Sequence, residues 1–149
     1  MTNSALLIRR AREDAGVTQP ALAKDTGIQQ PRLSQYENGK VRPSSETVKR
    51  ILRALKVRPS IRLEVAQDEV VETAQRFRAH TVWVFGSCVD GTDTANSDVD
   101  LVVEFDHDAS TYDLANLTDA LHELLDVDVD VVSARTPSAE RFLTNAVRL

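Results

Sequence analysis

Gly86 and Ser87 are followed, after a ten-residue spacer, by Asp98-Val99-Asp100. The run GSCVDGTDTANSDVD lies between two apolar segments, TVWVF at 81–85 and LVV at 101–103. Read as strand, turn and strand, it offers a phosphate-gripping bend followed by two carboxylates. Residues i and i+2 of a strand point to one face, so Asp98 and Asp100 are expected side by side. Adjacent carboxylates repel unless a cation lies between them. Mg²⁺ suits that position, because it takes oxygen ligands from one or two carboxylates and from phosphates. Gly86 lets backbone approach a phosphate without a Cβ in the way, and Ser87 adds a hydroxyl donor beside backbone N–H groups. The chemistry so assembled is metal-dependent nucleotidyl transfer from a nucleoside triphosphate.

A third carboxylate is at hand in LDVDVDVV at 125–132, where Asp126, Asp128 and Asp130 alternate with apolar residues. On one continuous strand they would share a face, and three acids on one face cannot all pack into a core. One of them can complete a site with room for two ions and accept the proton of an attacking hydroxyl. The residues alone leave open which of the three does so.

These residues need a scaffold, and the flanking patterns supply one. A helix is expected over 69–79, strands over 81–85 and around 101–103, and a helix over 111–125 capped by Ser110 with Asp113 in its first turn. Leu114, Leu117, Leu121, Leu124 and Leu125 form that helix's inner stripe. The strand with the third acid and a terminal helix over 137–147 complete a small mixed sheet covered by helices, an α+β module. Trp83 is assigned to the strand core, residues 104–108 to a solvated loop, and Cys88 to packing rather than reactivity.

The first half differs in charge and in pattern. Residues 1–62 hold 13 Lys/Arg and 5 Asp/Glu, whereas residues 63–149 hold 5 and 18. A basic module is thus joined to an acidic one, and a basic module implies a polyanion partner. A first helix is expected over 4–15. Thr18 can cap a second, with Pro20 harmless in its first turn and Gly27 ending it. A third follows over 30–37, closed by Asn38-Gly39, so the pair is joined by the short glycine-containing turn of a helix-turn-helix. Ser44 caps a last helix whose stripe is Val48, Ile51, Leu52 and Leu55. Leu33 and Tyr36 are expected in the core. Gln30, Arg32, Ser34 and Gln35 are placed on or near the reading face, since Gln matches adenine and Arg matches guanine in the major groove.

Both changes fall near 57–66, so two domains are expected: 1–57, a linker over 58–66, and 67–149. No segment reaches the about 18 apolar residues of a membrane span, and no signal peptide is visible near the start. The single cysteine rules out an internal disulfide and fits a reducing cytoplasm. His80, His107 and His122 lack zinc spacing.

Two resemblances sharpen this reading. AGVTQ at 15–19, Leu22-Ala23, Gly27-Ile28, SQYENGK at 34–40 and Pro43 resemble the phage-repressor (Cro/C1, or Xre) helix-turn-helix family. That resemblance implies backbone-phosphate contacts from Gln19, Asn38, Lys40 and Arg42, double-stranded operator DNA as partner, and binding as a homodimer or a partner-bridged oligomer. Residues 70–149 resemble the minimal nucleotidyltransferases of the DNA polymerase β superfamily, whose signature is GS, ten residues, DxD. The resemblance implies that Asp98 and Asp100 hold Mg²⁺ and that Asp130, in VDVVS, completes the catalytic and metal set. It implies also that Gly86 and Ser87 hold the phosphates of ATP. Its antitoxin members imply AMP transfer to a tyrosine hydroxyl of a HEPN-domain ribonuclease toxin, with the helix-turn-helix repressing the shared operon. Cys88 and Asp90 stand where many members carry basic residues, which favours an alternative: a regulator whose transferase domain binds nucleotide or a partner without turnover.

Overall fold

The computed structural model describes residues 3–149. Four helices form the N-terminal bundle: α1 (Ser4–Asp14), α2 (Gln19–Thr26), α3 (Gln30–Glu37) and α4 (Ser45–Leu55). Their ends follow local chemistry. Asn3, Thr18 and Ser44 accept the backbone N–H groups of Leu6, Ala21 and Thr47, satisfying donors that a helix start leaves unpaired. Gly27 ends α2 in the left-handed region at φ 72°. The bundle closes on Ile8, Leu22, Leu33 and Ile51, all but inaccessible to solvent, with Tyr36 and Val48 packed at its margin.

One charged group lies inside this bundle. Glu37 is buried, and its carboxylate receives Arg12 Nε at 2.6 Å, Arg12 Nη2 at 3.0 Å and Gln19 Nε2 at 3.0 Å. Burial pushes the carboxyl up, but the hydrogen bonds from Arg12 and Gln19 outweigh it, so Glu37 titrates below the ordinary glutamate range. Truncating either partner would strand a buried charge.

Of residues 58–66, expected as a linker, Arg58 is an extended N-cap and 59–66 are helical instead. The helix α5 (Pro59–Arg76) begins ten residues before the expected helix and belongs to both halves. Ile61 and Val65 pack into the N-terminal core with Val57, while Leu63, Ala66, Val70 and Ala74 pack into the C-terminal core. Pro59 is therefore a helix-starting residue at N1, where its fixed φ helps. Its start is held from a distance. The buried Asp93 accepts the Ser60 backbone N–H at 2.8 Å and Arg58 Nη1 at 3.0 Å. Arg58 also grips Asp14, at the end of α1, through Nε and Nη2 at 3.0 and 2.6 Å. Arg10 on α1 meets Glu64 on α5 at 3.0 Å. The two halves are thus riveted by ion pairs as well as by a shared helix.

The C-terminal half is a four-stranded mixed sheet in the order β3-β2-β1-β4. It comprises β1 (Ala79–Phe85), the one-turn α6 (Ser87–Asp90), β2 (Val99–Phe105), α7 (Thr111–Leu125), β3 (Val129–Ser133), α8 (Ala139–Leu143) and β4 (Val147–Arg148). β1 runs antiparallel to β2 and β4, and β2 runs parallel to β3 through the α7 crossover. Val82 and Val84 of β1, and Val99, Leu101 and Val103 of β2, face α5 and α7. Ser110 and Asp113 form a capping box at the start of α7. Leu117, Leu121 and Leu125 are buried there, with Leu114 and Leu124 at the margin.

Four local expectations are corrected. Asp126 is not a strand residue: it caps α7 in the left-handed conformation at φ 54°, so β3 starts only at Val129 and Asp128 precedes it. An Asx residue tolerates that conformation, and the helix end takes precedence over the alternating pattern. The terminal helix is reduced to α8, because residues 147–148 pair with β1 as an edge strand. Glu104 and Phe105 belong to β2, and Phe105 is buried rather than in a loop. Trp83 is only half-buried, on the face of β1 away from the main core.

Candidate active site and helix-turn-helix face

Strand alternation sorts the sheet into an apolar face under α5 and α7 and a second face that carries the acids. Asp100 is the register partner of Phe85 on β1 and of Asp130 on β3. Phe85, Asp100 and Asp130 therefore form one row across three neighbouring strands, with strands about 4.8 Å apart. Asp98 lies one residue before β2 and is exposed, as is Asp130, whereas Asp100 in the middle is half-buried. The Asp100 carboxyl titrates above the ordinary aspartate range. Burial raises it most, followed by the negative charges of Asp130 and then Asp98. The structure thus brings Asp98, Asp100 and Asp130 into electrostatic contact and excludes Asp126, which is on a helix end.

Gly86 meets this row directly. Its backbone, at φ 73° and ψ −147°, occupies a region open essentially to glycine alone. A Cβ there would lie 2.5 Å from Asp100 Oδ2. Ser87 follows, half-buried, as the first residue of α6. The turn is therefore pressed against the central carboxylate. Cys88 is bonded inward, its Sγ 3.9 Å from the Asp98 carbonyl, and its thiol is pushed up to about 12 by burial and by the charges of Asp93 and Asp100. Such a thiol is inert at neutral pH. Asp90 is exposed at the end of α6.

The fit to a divalent cation is partial. Uncompensated oxygen donors on one face suit Mg²⁺, and the raised carboxyl of Asp100 is what a cation would relieve. Among the described residues, however, no three His, Cys, Asp or Glu side chains converge into a ready cluster of ligands.

Sequence reasoning did not single out the cover of this face. The α8 residue Phe142 stacks on Phe85 at 4.7 Å and 18° between ring planes, and the Arg141 guanidinium lies 5.3 Å from the Phe142 ring centre. Phe85 adjoins Gly86 in sequence and Asp100 in register, so α8 borders the acidic row. The only sequence signal was the aromatic pair itself, separated by more than fifty residues.

In the N-terminal bundle, Gln30, Arg32 and Gln35 are exposed on or at the start of α3, and Arg32 Nη1 meets Gln35 Oε1 at 3.3 Å. Ser34 is half-buried and accepts Asn38 Nδ2 at 3.3 Å. Asn38, Lys40 and Arg42 are exposed in the segment after α3. Gln19 differs from the rest: its amide is committed to Glu37, a structural bond that the sequence did not reveal.

Residues 68–148, more than half of the chain, match the family model described as polymerase beta, nucleotidyltransferase. The chain belongs to this nucleotidyltransferase family. Residues 8–61 match a helix-turn-helix model, so an Xre-type helix-turn-helix domain precedes the transferase fold. Among solved structures, one provisionally named a minimal nucleotidyltransferase is 38% identical, with a TM-score of 0.53 over 58% of this chain and 92% of that one. A toxin–antitoxin complex with AMP-PNP matches at 24% identity and a TM-score of 0.49, over 55% of this chain and 70% of that one. A complex of tri-AMPylated Shewanella oneidensis HEPN toxin with its MNT antitoxin matches at 19% identity and a TM-score of 0.45, over 57% and 69%. No match was found among curated proteins. No helix among the described residues is long and apolar enough to cross a membrane.

Proposed function

We propose that this nucleotidyltransferase is a DNA-binding antitoxin and autoregulator that transfers AMP from ATP to a tyrosine hydroxyl of a HEPN-type ribonuclease toxin. The observation that carries the transferase part is the row of Asp100 and Asp130 with Gly86 packed against it. The 38% identity to a minimal nucleotidyltransferase supports the reaction class. The toxin acceptor and the AMP group rest on the resemblance to the antitoxin members of that family.

In this reading Asp98 and Asp100 hold Mg²⁺, with Asp130 completing the set. Held there, Mg²⁺ would supply charge neutralisation for the triphosphate and electrophilic activation of the reacting phosphoryl group. Gly86 and Ser87 hold the β- and γ-phosphates, the glycine because only a residue without Cβ fits beside Asp100. The acceptor oxygen forms a bond to the α-phosphorus, the bond to the bridging oxygen breaks, and pyrophosphate leaves. The hydroxyl proton passes to Asp130, the exposed acid at the end of the row. Gln30, Arg32, Ser34 and Gln35 read operator bases, while Asn38, Lys40 and Arg42 contact phosphates. Gln19 acts chiefly by fixing Glu37. One such module presents a short reading face, and a homodimer or toxin-bridged oligomer spans two half-sites.

The exposed acid at Asp90 favours one competing reading, a regulator whose transferase domain binds nucleotide or a partner without turnover. Intact-mass analysis after incubation with Mg²⁺, ATP and the product of the neighbouring gene separates the two. Covalent AMP addition that vanishes in the Asp98→Ala/Asp100→Ala protein establishes transfer. A stable complex with no mass change establishes the binding-only regulator.

A further inference from the structure

The acidic row occupies one face of the sheet, and a different kind of site lies on the helical side. Between α4 and α7 is a cleft of about 520 Å³, walled by both halves of the chain. An adjoining cleft of about 630 Å³ shares Lys49, Leu52, Arg62 and Asp126 with it. Lys49, Arg53, Lys56 and Arg62 bring four cations to the joined space, and Arg42 reaches its rim. The acids that face them are Glu123 and Asp126. Aliphatic side chains, Val48 and Leu52 from α4 and Leu124 from α7, line the space as well.

Arg62 decides what this space is for. It projects from the shared helix α5 at the junction of both clefts, and its Nε is buried without a hydrogen-bond partner among the described residues. Burial lowers the pKa of its guanidinium, and the Asp126 charge opposes that only in part. The Nε itself is closed to solvent, so what Arg62 offers a ligand is the outer end of its guanidinium, which lines both clefts. Guanidinium groups match phosphate oxygens in geometry and charge, and lysines add point charges around them. A space of this size, with an aliphatic wall and a few convergent polar groups, suits a small ligand. A cleft of about 520 Å³ is too small to admit duplex DNA.

We propose that this interdomain cleft binds an organic polyphosphate of nucleotide size, its phosphates on Arg62, Lys49 and Lys56 and its apolar part on the aliphatic wall. The ligand would contact both halves at once and so tie the helix-turn-helix to the transferase fold. This site shares no residue with the acidic row, and neither reading depends on the other.

Calorimetric titration of the full chain with ATP, and separately with inorganic tripolyphosphate, tests this in the presence of EDTA. Without divalent cations the acidic row repels both probes. We expect one-to-one binding, weakened at least tenfold by Arg62→Gln and by Lys49→Gln. It should be unchanged by Arg9→Gln, a charge-matched control on α1, and by Asp98→Ala/Asp100→Ala. ATP should bind more tightly than tripolyphosphate, and equal affinities would remove the aliphatic wall from the site. Thermal melts without ligand show whether Arg62→Gln still folds; if it does not, the exposed Lys49→Gln/Lys56→Gln pair decides. Absence of binding, equal loss in Arg9→Gln, or displacement of the probe by random-sequence duplex DNA overturns the proposal.

Discussion

Gly86 and Asp100 are so close that a single methyl group on the glycine would stand 2.5 Å from a carboxylate oxygen of the aspartate. The positive φ of Gly86 adds a second obstacle to any side chain. The turn at Gly86 and the central acid can therefore be neighbours only with glycine at this position. Gly86→Ala must push the turn away from the acid or rotate Asp100 out of the row. We expect it to lower transfer by at least about a hundredfold, as displacements of about 1 Å do, at a cost in stability of roughly 1–3 kcal/mol. Single-turnover kinetics and a urea titration on the same protein measure the two effects.

Asp100 is held where its ionised form is disfavoured by burial, by Asp130 and by Asp98. Replacing it with asparagine removes a like charge and keeps the shape. Asp100→Asn should abolish transfer yet raise the melting midpoint of the metal-free protein at neutral pH. Because the folded carboxyl titrates above its unfolded value, its ionisation costs stability, and that cost vanishes as pH falls through the folded pKa. The gain from Asp100→Asn should therefore shrink on acidification. A gain that persists in acid would mean that packing, not charge, is responsible.

Glu37 has the opposite sign. Its folded pKa lies below the ordinary glutamate value of 4.5, so its stabilisation is present above that value and is lost as pH falls through the folded pKa. Thermal melts of the wild-type protein should show an acid limb beginning near pH 4.5, and Glu37→Gln should flatten it. At neutral pH the variant should be less stable by about 2–4 kcal/mol, since Arg12 loses a part-buried charged partner.

The two activities should separate by mutation. Arg32→Ala and Gln35→Ala remove exposed groups from α3, and each is expected to cost about 1–3 kcal/mol of operator affinity without affecting transfer. Asp98→Ala/Asp100→Ala should eliminate transfer and leave operator affinity within about twofold. Gel-shift titration and intact-mass assays on the four proteins check this. Parallel loss of both activities in folded protein would contradict a two-module chain.

Asp93 links those modules physically. It caps α5 through Ser60 and shares Arg58 with Asp14 of α1. Asp93→Ala removes a buried charge-assisted bond and a helix cap, together worth roughly 2–4 kcal/mol. Hydrogen exchange should show the loss concentrated at the start of α5 and spreading into α1. Loss confined to the loop around residue 93 would show that the rivet carries no load between the halves.

Local chemistry made much of this protein legible from its residues. Thr18, Gly27 and Ser44 announced helix ends because caps and left-handed turns need only neighbours a few residues away. The leucine stripe of α7 and the alternation of β1 and β2 followed from the periods of helix and strand. GS and DxD, with their fixed spacer, mark Asp98 and Asp100 in the sequence itself, whereas the choice of Asp130 over Asp126 and Asp128 rests on the family resemblance. What the sequence could not show was decided by partners distant along the chain. Residues 58–66 look like a linker until Asp93, 33 positions after Ser60, caps them into a helix that two cores share. Asp126 fits the same alternating strand pattern as Asp130, yet it ends a helix, because terminating α7 has a stronger claim on it than extending β3. Val147 and Arg148 become a strand only because β1 has a free edge to pair with. In the sequence Gly86 suits a close approach of backbone to a phosphate, and only the folded sheet shows that its missing side chain makes room for Asp100. Periodicity and capping act within a few residues, whereas register, shared helices and buried charges depend on which distant segment the fold brings alongside.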